Sequence, residues 1–519
     1  MPELQNGTSL SSGDALFLYF ERQGQPVNVA SVIVFEGLLT LEVCTAYIES
    51  KLALIPRYRQ RVVFPAYNMD LPSWEYDPQF DIRNHVREVT LRHGTEAEFK
   101  AVAAKILSPT LNRERPLWDF TLVHGLGGNR TGAVIRMHHC LADGISGVGV
   151  LNALLDPSPL APPLPKEPAL QAQPVFGSAG PRDGLLYSSI SAVQRVLTAS
   201  SELLDVAKHM VAVAESPAPA GKAKAEPGSK AEARNGLLDE LKQVLPEAIT
   251  LADRLPFNVV CRGPQKFGWA EVPLAEIKAI KQACGVTVND VVLALVTAAV
   301  RRYAQLHGVR LDGRQLRIVV PVNVRGQGDT RDLGNRITFL PISVPLDIDN
   351  PRELIEAARE GVERGRSARL GELVSVLGSL LATIPTPLQA LLGPVVSQLP
   401  INACNLICTN VPGPQIPLYL YGHKLLACYP YVPIGGEMGM NVAILTYNGT
   451  AYFGFTGDAQ AIPDLGRLEK FLGQGFVKLQ KVARRGPPRR KRAAEKIRAV
   501  PPAEPAATKE AAAPEAVSA

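Results

Sequence analysis

The chain has 519 residues, of which 46% are hydrophobic and 20% charged, a composition typical of a globular protein with room for two hydrophobic cores. Its seven cysteines are scattered and include no C-x-x-C pair, which argues against a disulfide framework and against a zinc site. The polar N-terminus and the lack of a run of about 18 apolar residues argue against export and against a membrane-spanning helix, so we expect a cytoplasmic protein.

The net charge of +6 originates near the C-terminus. Residues 481–498 contain nine Lys or Arg and one Glu, residues 499–519 contain one Lys and three Glu, and the first 480 residues have no net charge. Such a basic segment could attract anionic lipid or nucleic acid, or be a solvated extension. Because the neutral body shows no basic face with interleaved aromatic residues, we expect no nucleic-acid partner and favour a surface anchor or a solubility tail.

The predicted elements mix strands with helices from the start of the chain. Up to residue 155, apolar periodicity predicts strands at 27–35, 86–91, 120–123 and 133–137 and helices at 14–21, 41–54 and 96–108. Prolines and small residues, with a helical stretch at 185–214, then predict a connector over 156–235.

The second half of the chain repeats this mixture without regular alternation of strand and helix. Helices are predicted at 236–255, 274–284, 288–306, 351–366 and 463–482, and strands at 315–324, 337–345, 404–410, 438–447 and 451–457. The sequence therefore predicts an α+β protein with an N-terminal lobe over 1–155 and a C-terminal lobe over 236–482. A basic and then Ala/Pro-rich disordered tail is predicted over 483–519.

The strongest chemical signal is a pair of histidines at the predicted end of strand 133–137. His138 and His139 are followed by Asp143 and Gly144. A neutral imidazole can take a proton from an alcohol and return it to a leaving group near neutral pH. Because successive side chains of a strand point to opposite faces, only one of the two histidines should meet a substrate. Asp143 and Gly144 predict a turn whose carboxylate bonds to a nearby cation or backbone donor.

Other interpretations of this segment remain open. The two histidines could be core residues at a strand end. A metal site formed by His138, His139 and Asp143 is disfavoured, because adjacent histidines on opposite faces cannot easily share one ion and no H-E-x-x-H helix is present. A serine nucleophile is weaker still, since Val148 stands where a G-x-S-x-G turn around Ser146 requires its second glycine.

Further motifs accompany the histidine pair. They are Arg115-Pro116-Leu117-Trp118, Thr287-Val288-Asn289-Asp290 with the apolar run after it, Pro321-Val322-Asn323-Val324-Arg325 with Gly334-Asn335, and Asn410-Val411-Pro412-Gly413-Pro414. In this order and at these separations, they resemble the bacterial wax ester synthase/acyl-CoA:diacylglycerol acyltransferase family over roughly residues 12–480. The H-H-x-x-x-D-G segment alone is less specific, since condensation domains, plant alcohol acyltransferases and chloramphenicol acetyltransferase-like enzymes share it.

The resemblance implies a two-lobe, CoA-dependent acyltransferase fold of the chloramphenicol acetyltransferase type, with mixed sheets flanked by helices and an active-site tunnel between the lobes. It implies that His139 is the general base, that His138 and Asp143 hold the loop in shape, and that Asn289 positions the acyl group or its oxyanion. Acyl-CoA would be a substrate, with no cofactor and no metal. The acceptor would be diacylglycerol or a long-chain fatty alcohol, and the acyl group would pass to it directly.

For several candidate residues a structural role competes with a role in binding. The candidate substrate-binding residues are Gly144, Pro116, Leu117 and Trp118. Trp118 could instead be a core residue, and Cys140 is most simply a small buried residue. Asn289 could cap a helix as well as act in catalysis, and Asp290 could interact with the helix dipole. The apolar segment 373–399 could line an acyl channel, lie against lipid or pack in the core.

We therefore expect an enzyme that makes triacylglycerol, wax ester or both, peripherally associated with a membrane or with lipid inclusions through its basic tail and apolar segments. One alternative is a non-catalytic lipid-surface binding protein on an acyltransferase scaffold. Another is a related acyltransferase with a different alcohol acceptor. The intact His139, Asp143 and Gly144 favour an enzyme, whereas the oligomeric state stays open.

Overall fold

Two six-stranded sheets, each with helices packed against it, dominate the computed structural model, which describes residues 8–142, 151, 153–160, 252–323, 337–367, 384–396 and 403–485. Both sheets are mixed, with parallel and antiparallel neighbours. The predicted α+β architecture of two lobes with mixed sheets flanked by helices is confirmed. The helical stretch predicted at 185–214, with nearly all of the connector and of the tail, lies outside the described residues, so the predicted lobe and tail boundaries stay predictions.

The N-terminal sheet contains the strand that carries the histidine pair. Its strands are β2 (Asn28–Glu36), β5 (Val86–Thr90), β6 (Trp118–Leu126), β7 (Arg130–His138), β12 (Tyr419–Leu420) and β13 (His423–Tyr431). They lie in the order β12-β13-β2-β7-β6-β5, and of these pairs only β5 and β6 run parallel. β7 therefore lies in the interior of the sheet, with both of its edges paired, and its apolar run is buried.

Three helices and a small sheet complete this lobe. The helices are α1 (Ser12–Phe20), α2 (Leu41–Lys51) and α3 (Glu96–Leu107), and the small antiparallel sheet consists of β1 (Thr8–Ser9), β3 (Gln60–Val63) and β4 (Ser73–Tyr76). Each helix begins at a hydroxyl-bearing cap, Ser11, Thr40 or Thr95, whose side chain accepts a backbone N–H of the first turn. These caps determine where the helices start.

The C-terminal sheet follows the same plan. Its strands are β8 (Gln265–Pro273), β9 (Gln315–Asn323), β10 (Ile337–Pro345), β11 (Leu406–Pro412), β14 (Met440–Tyr447) and β15 (Thr450–Asp458), in the order β10-β9-β11-β14-β15-β8. The helices are α4 (Leu274–Cys284), α5 (Val288–Leu306), α6 (Pro351–Ser367), α7 (Thr386–Val396) and α8 (Gly466–Arg485). α5 is the buried helix of this lobe and packs against α4, α6 and α8, whereas α7 packs against α1 of the other lobe.

The two lobes have separate hydrophobic cores and meet through an aromatic contact. The indole of Trp269 on β8 stacks on Tyr429 of β13, with ring centroids 4.5 Å apart. The Nζ atom of Lys100, on α3, lies over the same Trp269 ring, 4.8 Å from its centroid. This ammonium group also forms an ion pair with the carboxylate of Glu469 on α8, at 2.8 Å. An apolar stack with a charged pair beside it therefore joins the lobes.

Most predicted elements have their counterparts, and a few were missed. The predicted bounds coincide for α4, α5 and β10. The sequence prediction missed β8, β12, β13, α7 and the three short strands of the small sheet, β1, β3 and β4. It also extended a helix to residue 255, although residues 252–255 are irregular. The missed β12 and β13 come from the range assigned to the C-terminal lobe but complete the N-terminal sheet.

None of the helices in the described ranges is both long and apolar enough to span a membrane by itself. α4 and α5 meet both requirements only when they are taken together, and they are bent by 103° relative to each other. Most residues of α5 are buried in the C-terminal core.

Candidate active site

The histidine pair lies where β7 leaves the sheet. His138 is the last residue of β7 and lies opposite Asn28 of β2, whereas His139 begins a short 3₁₀ turn, His139–Ala142. His138 is fully buried, while His139 is half-buried. Adjacent in sequence, the two imidazoles thus have different surroundings, as the alternation of a strand predicts.

His138 is held through its Nδ1 atom, whereas its buried Nε2 atom has no hydrogen-bond partner among the described residues. Its Nδ1 accepts the backbone N–H of Cys140 at 3.2 Å, so the ring proton belongs on Nε2. Nε2 lies 3.6 Å from Oε1 of Glu21. Burial, together with the neighbouring Arg113 and His139, lowers the pKa of His138 to about 3, so the ring is neutral at physiological pH.

Glu21 connects the two histidines. Its buried carboxylate accepts the backbone N–H of Val27 at 3.1 Å and a guanidinium N–H of Arg113 at 3.1 Å. The carbonyl of the same Val27 accepts the backbone N–H of His139 at 2.9 Å. One carboxylate at the end of α1 therefore lies beside the His138 ring and also bonds to Val27, the residue before β2 that holds the His139 backbone.

His139 has the more open environment. The ring of Phe17 packs against its imidazole, with centroids 4.1 Å apart and planes at 33°. Its Nδ1 is buried and has no hydrogen-bond partner within the described chain. Burial lowers the pKa of His139 to about 4, so this imidazole is also unprotonated near neutral pH and can accept a proton.

The residues that follow the pair are only partly described. Cys140 is buried, its Sγ lies 2.9 Å from Nδ1 of His138, and burial raises the pKa of its thiol well above the usual value. This thiol therefore has the properties of a small buried residue rather than those of a nucleophile. Asp143, Gly144 and Ser146 lie outside the described residues.

Pro116, Leu117 and Trp118 are all buried beneath the histidine pair. The carbonyl of Leu117 accepts the backbone N–H of His138 at 2.9 Å. The indole of Trp118 donates to the carbonyl of Tyr58 at 2.8 Å and stacks on His85, with ring centroids 4.6 Å apart. These contacts support a core position that helps to hold the end of β7. Substrate contact by these residues stays a prediction.

Asn289 is in the first turn of α5. The cap of this helix is Thr287, whose side chain accepts the N–H of Asp290 while the Asp290 carboxylate accepts the N–H of Thr287. The interpretation of Asn289 as the cap is therefore wrong, and Asp290 stabilises the helix start. Asn410 donates from Nδ2 to Oδ1 of Asn289 at 3.4 Å. Between Asn289 and His139 the described atoms form no hydrogen bond.

A cavity of about 630 Å³ opens beside this site. Its walls come from α1, the segment after β3 and α7, and Glu21 and Arg113 form part of its lining. His139 does not line it, but Glu21 links it to the histidine pair. Within the described ranges, no group of three or more His, Cys, Asp or Glu side chains is placed to hold a metal ion.

Sequence reasoning did not identify Glu21, Arg113 or the role of Asn410. Glu21 follows an apolar helix as a single acid, and its partners Arg113 and His138 are distant in sequence, so no local pattern signals the contact. Asn410 was noted only as part of a motif.

Two parts of the chain match known domains. Residues 10–292 match the wax ester synthase/diacylglycerol acyltransferase catalytic domain, and residues 333–480 match the C-terminal domain of the same family.

Similar proteins include a putative diacylglycerol O-acyltransferase of Mycobacterium bovis, 28% identical over 93% of this chain and 98% of its own length. Another, from Mycobacterium tuberculosis, is 29% identical over 88% of this chain and 87% of its own length.

Solved structures share the fold. A wax ester synthase/diacylglycerol acyltransferase from Marinobacter aquaeolei VT8 superposes with a TM-score of 0.60 at 22% identity, over 92% of this chain and all of the other. The first condensation domain of the CDA synthetase superposes with a TM-score of 0.51 at 15% identity, over 92% of this chain and 97% of that domain. With its catalytic-domain match covering more than half of its length, this chain belongs to the wax ester synthase/diacylglycerol acyltransferase family and is an enzyme of that family.

Proposed function

We propose that this protein transfers a fatty acyl group from acyl-CoA to the hydroxyl of a diacylglycerol or of a long-chain fatty alcohol. The names of its relatives and of its domains support this reaction class. The observation that carries the proposal is the state of His139: a neutral, half-buried imidazole that is fixed through its backbone and packed against Phe17.

In the proposed reaction, His139 removes the proton from the acceptor hydroxyl as that oxygen attacks the thioester carbon of acyl-CoA. The tetrahedral intermediate then collapses, the C–S bond breaks, and His139 returns the proton to the departing sulfur. The products are the oxygen ester and free CoA. Acyl-CoA is a substrate, and the reaction as written requires no cofactor and no metal.

Direct transfer is supported by the surroundings of the pair. An acyl-enzyme would need a nucleophile beside the base, and among the described residues that follow His139 the candidate is Cys140. Its thiol is buried and its pKa is raised, which suppresses the reactive thiolate. We therefore infer that the hydroxyl of the acceptor attacks the thioester itself.

Asn289 is the proposed donor to the developing oxyanion. Since Thr287 and Asp290 cap α5, the Asn289 amide is not used for the helix start. Its Oδ1 accepts a hydrogen bond from Asn410, which leaves its NH₂ group to donate. Loss of one oxyanion donor typically lowers kcat about 100- to 1,000-fold.

We also propose peripheral association with a membrane or with lipid inclusions in the cytoplasm. The Arg-rich segment over 481–498 supports attraction to anionic lipid, at about 1 kcal/mol for each basic residue near the surface. The exposed leucines of α7 support contact with apolar lipid. Asp143 is proposed to hold the loop after the histidines, as the family resemblance implies.

The test is an acyl-transfer assay with purified full-length protein and labelled acyl-CoA, given either diacylglycerol or hexadecanol. We expect His139→Ala to lower product formation at least 100-fold with an unchanged melting temperature. His93→Ala, which replaces an exposed histidine, is the matched control and should leave the rate unchanged.

If the wild-type protein binds lipid vesicles but makes no ester with any acceptor, the non-catalytic lipid-binding alternative is correct. If His139→Ala keeps the wild-type rate, the assignment of the base is wrong even though the reaction stands.

A further inference from the structure

We propose that five exposed apolar side chains, on α7 and on the turn after β3, insert among the acyl chains of a lipid surface and dock the protein there. They are Tyr67, Met69, Leu388, Leu391 and Leu392, together called the apolar patch. This inference rests on the proposed function and deepens it, because it specifies which surface of the chain meets the lipid phase that contains the acceptor.

The apolar patch is unusually accessible for a set of large hydrophobic residues. Tyr67 is 89% accessible and Leu391 is 69% accessible, and the other three members are also exposed. Single exposed hydrophobic residues are common on protein surfaces and require no explanation, whereas several on adjacent elements mark a contact surface. The patch therefore requires an occupant that removes it from water.

The two halves of the apolar patch are adjacent in space. Thr386, the first residue of α7, donates from its hydroxyl to the carbonyl of Asn68 at 2.7 Å, which ties the start of the helix to the turn after β3. The three leucines of the patch have the spacing i, i+3, i+4 and therefore share one face of α7. Turn and helix thus present one continuous apolar surface.

The opposite face of α7 packs closely on α1. Gly393 is buried, and a Cβ atom added there would lie 2.9 Å from the carbonyl oxygen of Tyr19, so a side chain at this position would collide with α1. On another side, α1 carries Phe17, whose ring packs on the imidazole of His139. The apolar patch therefore belongs to the part of the molecule that holds the proposed base.

The backbone of the turn after β3 has an uncommon conformation that exposes its aromatic ring. Tyr67 has φ 55° and ψ 18°, and Asn68 has φ 54°, in the left-handed region that bulky residues rarely adopt. The N–H groups of Asn68 and Met69 donate to the carbonyls of Pro65 and Ala66, at 3.0 Å and 3.2 Å, and fix this conformation. Strained residues of this kind cluster at functional sites, which supports a role for the exposed ring.

The chemistry of the apolar patch favours lipid over a protein partner. None of the 11 residues of α7 is charged, and the only polar side-chain group of the patch is the hydroxyl of Tyr67. Protein interfaces are enriched in Arg and contain about ten direct hydrogen bonds, for which this surface offers few groups. A tyrosine beside leucines is typical of a membrane interface, with the ring among the acyl chains and the hydroxyl at the level of the headgroups.

A fluorescent reporter in the apolar patch tests insertion directly. The native tryptophans Trp74, Trp118 and Trp269 are all buried, so lipid should not quench their emission. In Tyr67→Trp, the added indole should emit at shorter wavelength with phosphatidylcholine vesicles and lose about half or more of its emission when their acyl chains carry bromine. Phe339→Trp, at an exposed position of β10, is the matched control and should not be quenched.

The second measurement is the partition of full-length protein into phosphatidylcholine vesicles at about 1 M salt, where charge attraction is screened beyond about 3 Å. We expect Leu391→Glu to weaken partition about tenfold or more, because a leucine that enters the lipid is replaced by a charge that stays in water. Leu38→Glu is the matched control, since Leu38 is 64% accessible and follows the end of β2 farthest from the histidine pair. Melting temperatures establish that both variants fold.

Three results would overturn the inference: no quenching in Tyr67→Trp, an equal loss of partition in Leu391→Glu and Leu38→Glu, or a wild-type dimer that Leu391→Glu converts to a monomer in sedimentation. In the last case a second copy of the chain covers the patch. None of these measurements depends on ester formation, so a failure of the inference is distinguishable from a failure of the proposed function, which the acyl-transfer assay reports separately.

Discussion

Glu21 reaches from the end of α1 to His138, with its Oε1 atom 3.6 Å from Nε2 of the imidazole. The same carboxylate binds Val27, whose carbonyl holds the backbone of His139. A residue that precedes the strand of the histidine pair by more than a hundred residues in the chain thus lies beside the ring of one histidine and helps to fix the backbone of the other.

We predict that Glu21→Ala lowers kcat by at least tenfold, because Val27 and Arg113 lose a common hydrogen-bond partner and the carboxylate beside His138 is removed. Leaving buried donors unpaired should also cost about 1–3 kcal/mol of unfolding free energy. Glu21→Gln keeps an acceptor for Val27 and should recover most of the stability but less of kcat, because the ion pair with Arg113 is absent. Steady-state kinetics and urea unfolding measure the two effects. A wild-type kcat in Glu21→Ala would contradict the positioning role.

The pH dependence of the reaction follows from the lowered pKa of His139. Because this pKa is about 4, the neutral fraction of the base is nearly constant above pH 5 and falls tenfold per unit well below pH 4. The rate should therefore be flat between pH 5 and pH 8, as measured by kcat/KM in buffers of constant ionic strength. An inflection near the ordinary histidine value of about 6.5 would show that the ring is not in a desolvated place.

The stability of the fold should depend on pH through the same two histidines. Both folded-state pKa values lie below the unfolded value, so the unfolded chain binds protons first as the pH falls. The stabilisation from neutral His138 and His139 is complete above about pH 6.5 and decreases as the pH falls toward 3. Urea midpoints measured across this range should decrease in the wild type, and less so in His139→Ala.

Substitutions at Thr287, the cap of α5, and at the neighbouring Asn289 should have different effects on stability and on activity. We expect Thr287→Ala to cost about 1 kcal/mol of unfolding free energy while kcat changes little, because it removes the helix cap. Asn289→Ala should show the reverse, a large loss of kcat at almost unchanged stability. The free energy of unfolding and kcat, both measured for each of the two variants, test this prediction. If Asn289→Ala is as destabilising as Thr287→Ala, its role is structural.

Asn410 should matter through the orientation of Asn289. In Asn410→Asp, a carboxylate at this position would accept from the Asn289 NH₂ group and turn the amide away from the oxyanion. We expect kcat to fall about tenfold or more, with KM for acyl-CoA unchanged, because one hydrogen bond is redirected. Asn410→Ser, which keeps a donor, should fall less. Equal activity of the two variants would argue against orientation as the role.

Local patterns predicted the elements that have strong periodicity. The bounds of α4, α5 and β10 could be read from apolar spacing and caps, and the end of β7 from the run before His138. β13 was missed because Pro430 interrupts its pattern and because its partner β2 lies at the other end of the chain. No local signal reports such a pairing.

The same reason explains what sequence reasoning could and could not say of the site. His138, His139 and Asn289 lie within short motifs whose residue types point to chemistry. The positions of Glu21 and Asn410 gain significance only from neighbours in space, His138 for the first and Asn289 for the second. Contacts between distant segments need coordinates, even where the family is evident.

The crossing of β13 into the N-terminal sheet has a consequence for biosynthesis. β2 lies between β7 and β13, so until residues 423–431 have left the ribosome, β2 presents an unpaired edge beside the strand that ends in the histidine pair. The nascent N-terminal half therefore lacks part of its own sheet, and we expect it not to fold stably until that strand arrives. Splitting the gene at the connector should give fragments that become active only on reassembly, and a premature stop before this segment should yield an aggregating product.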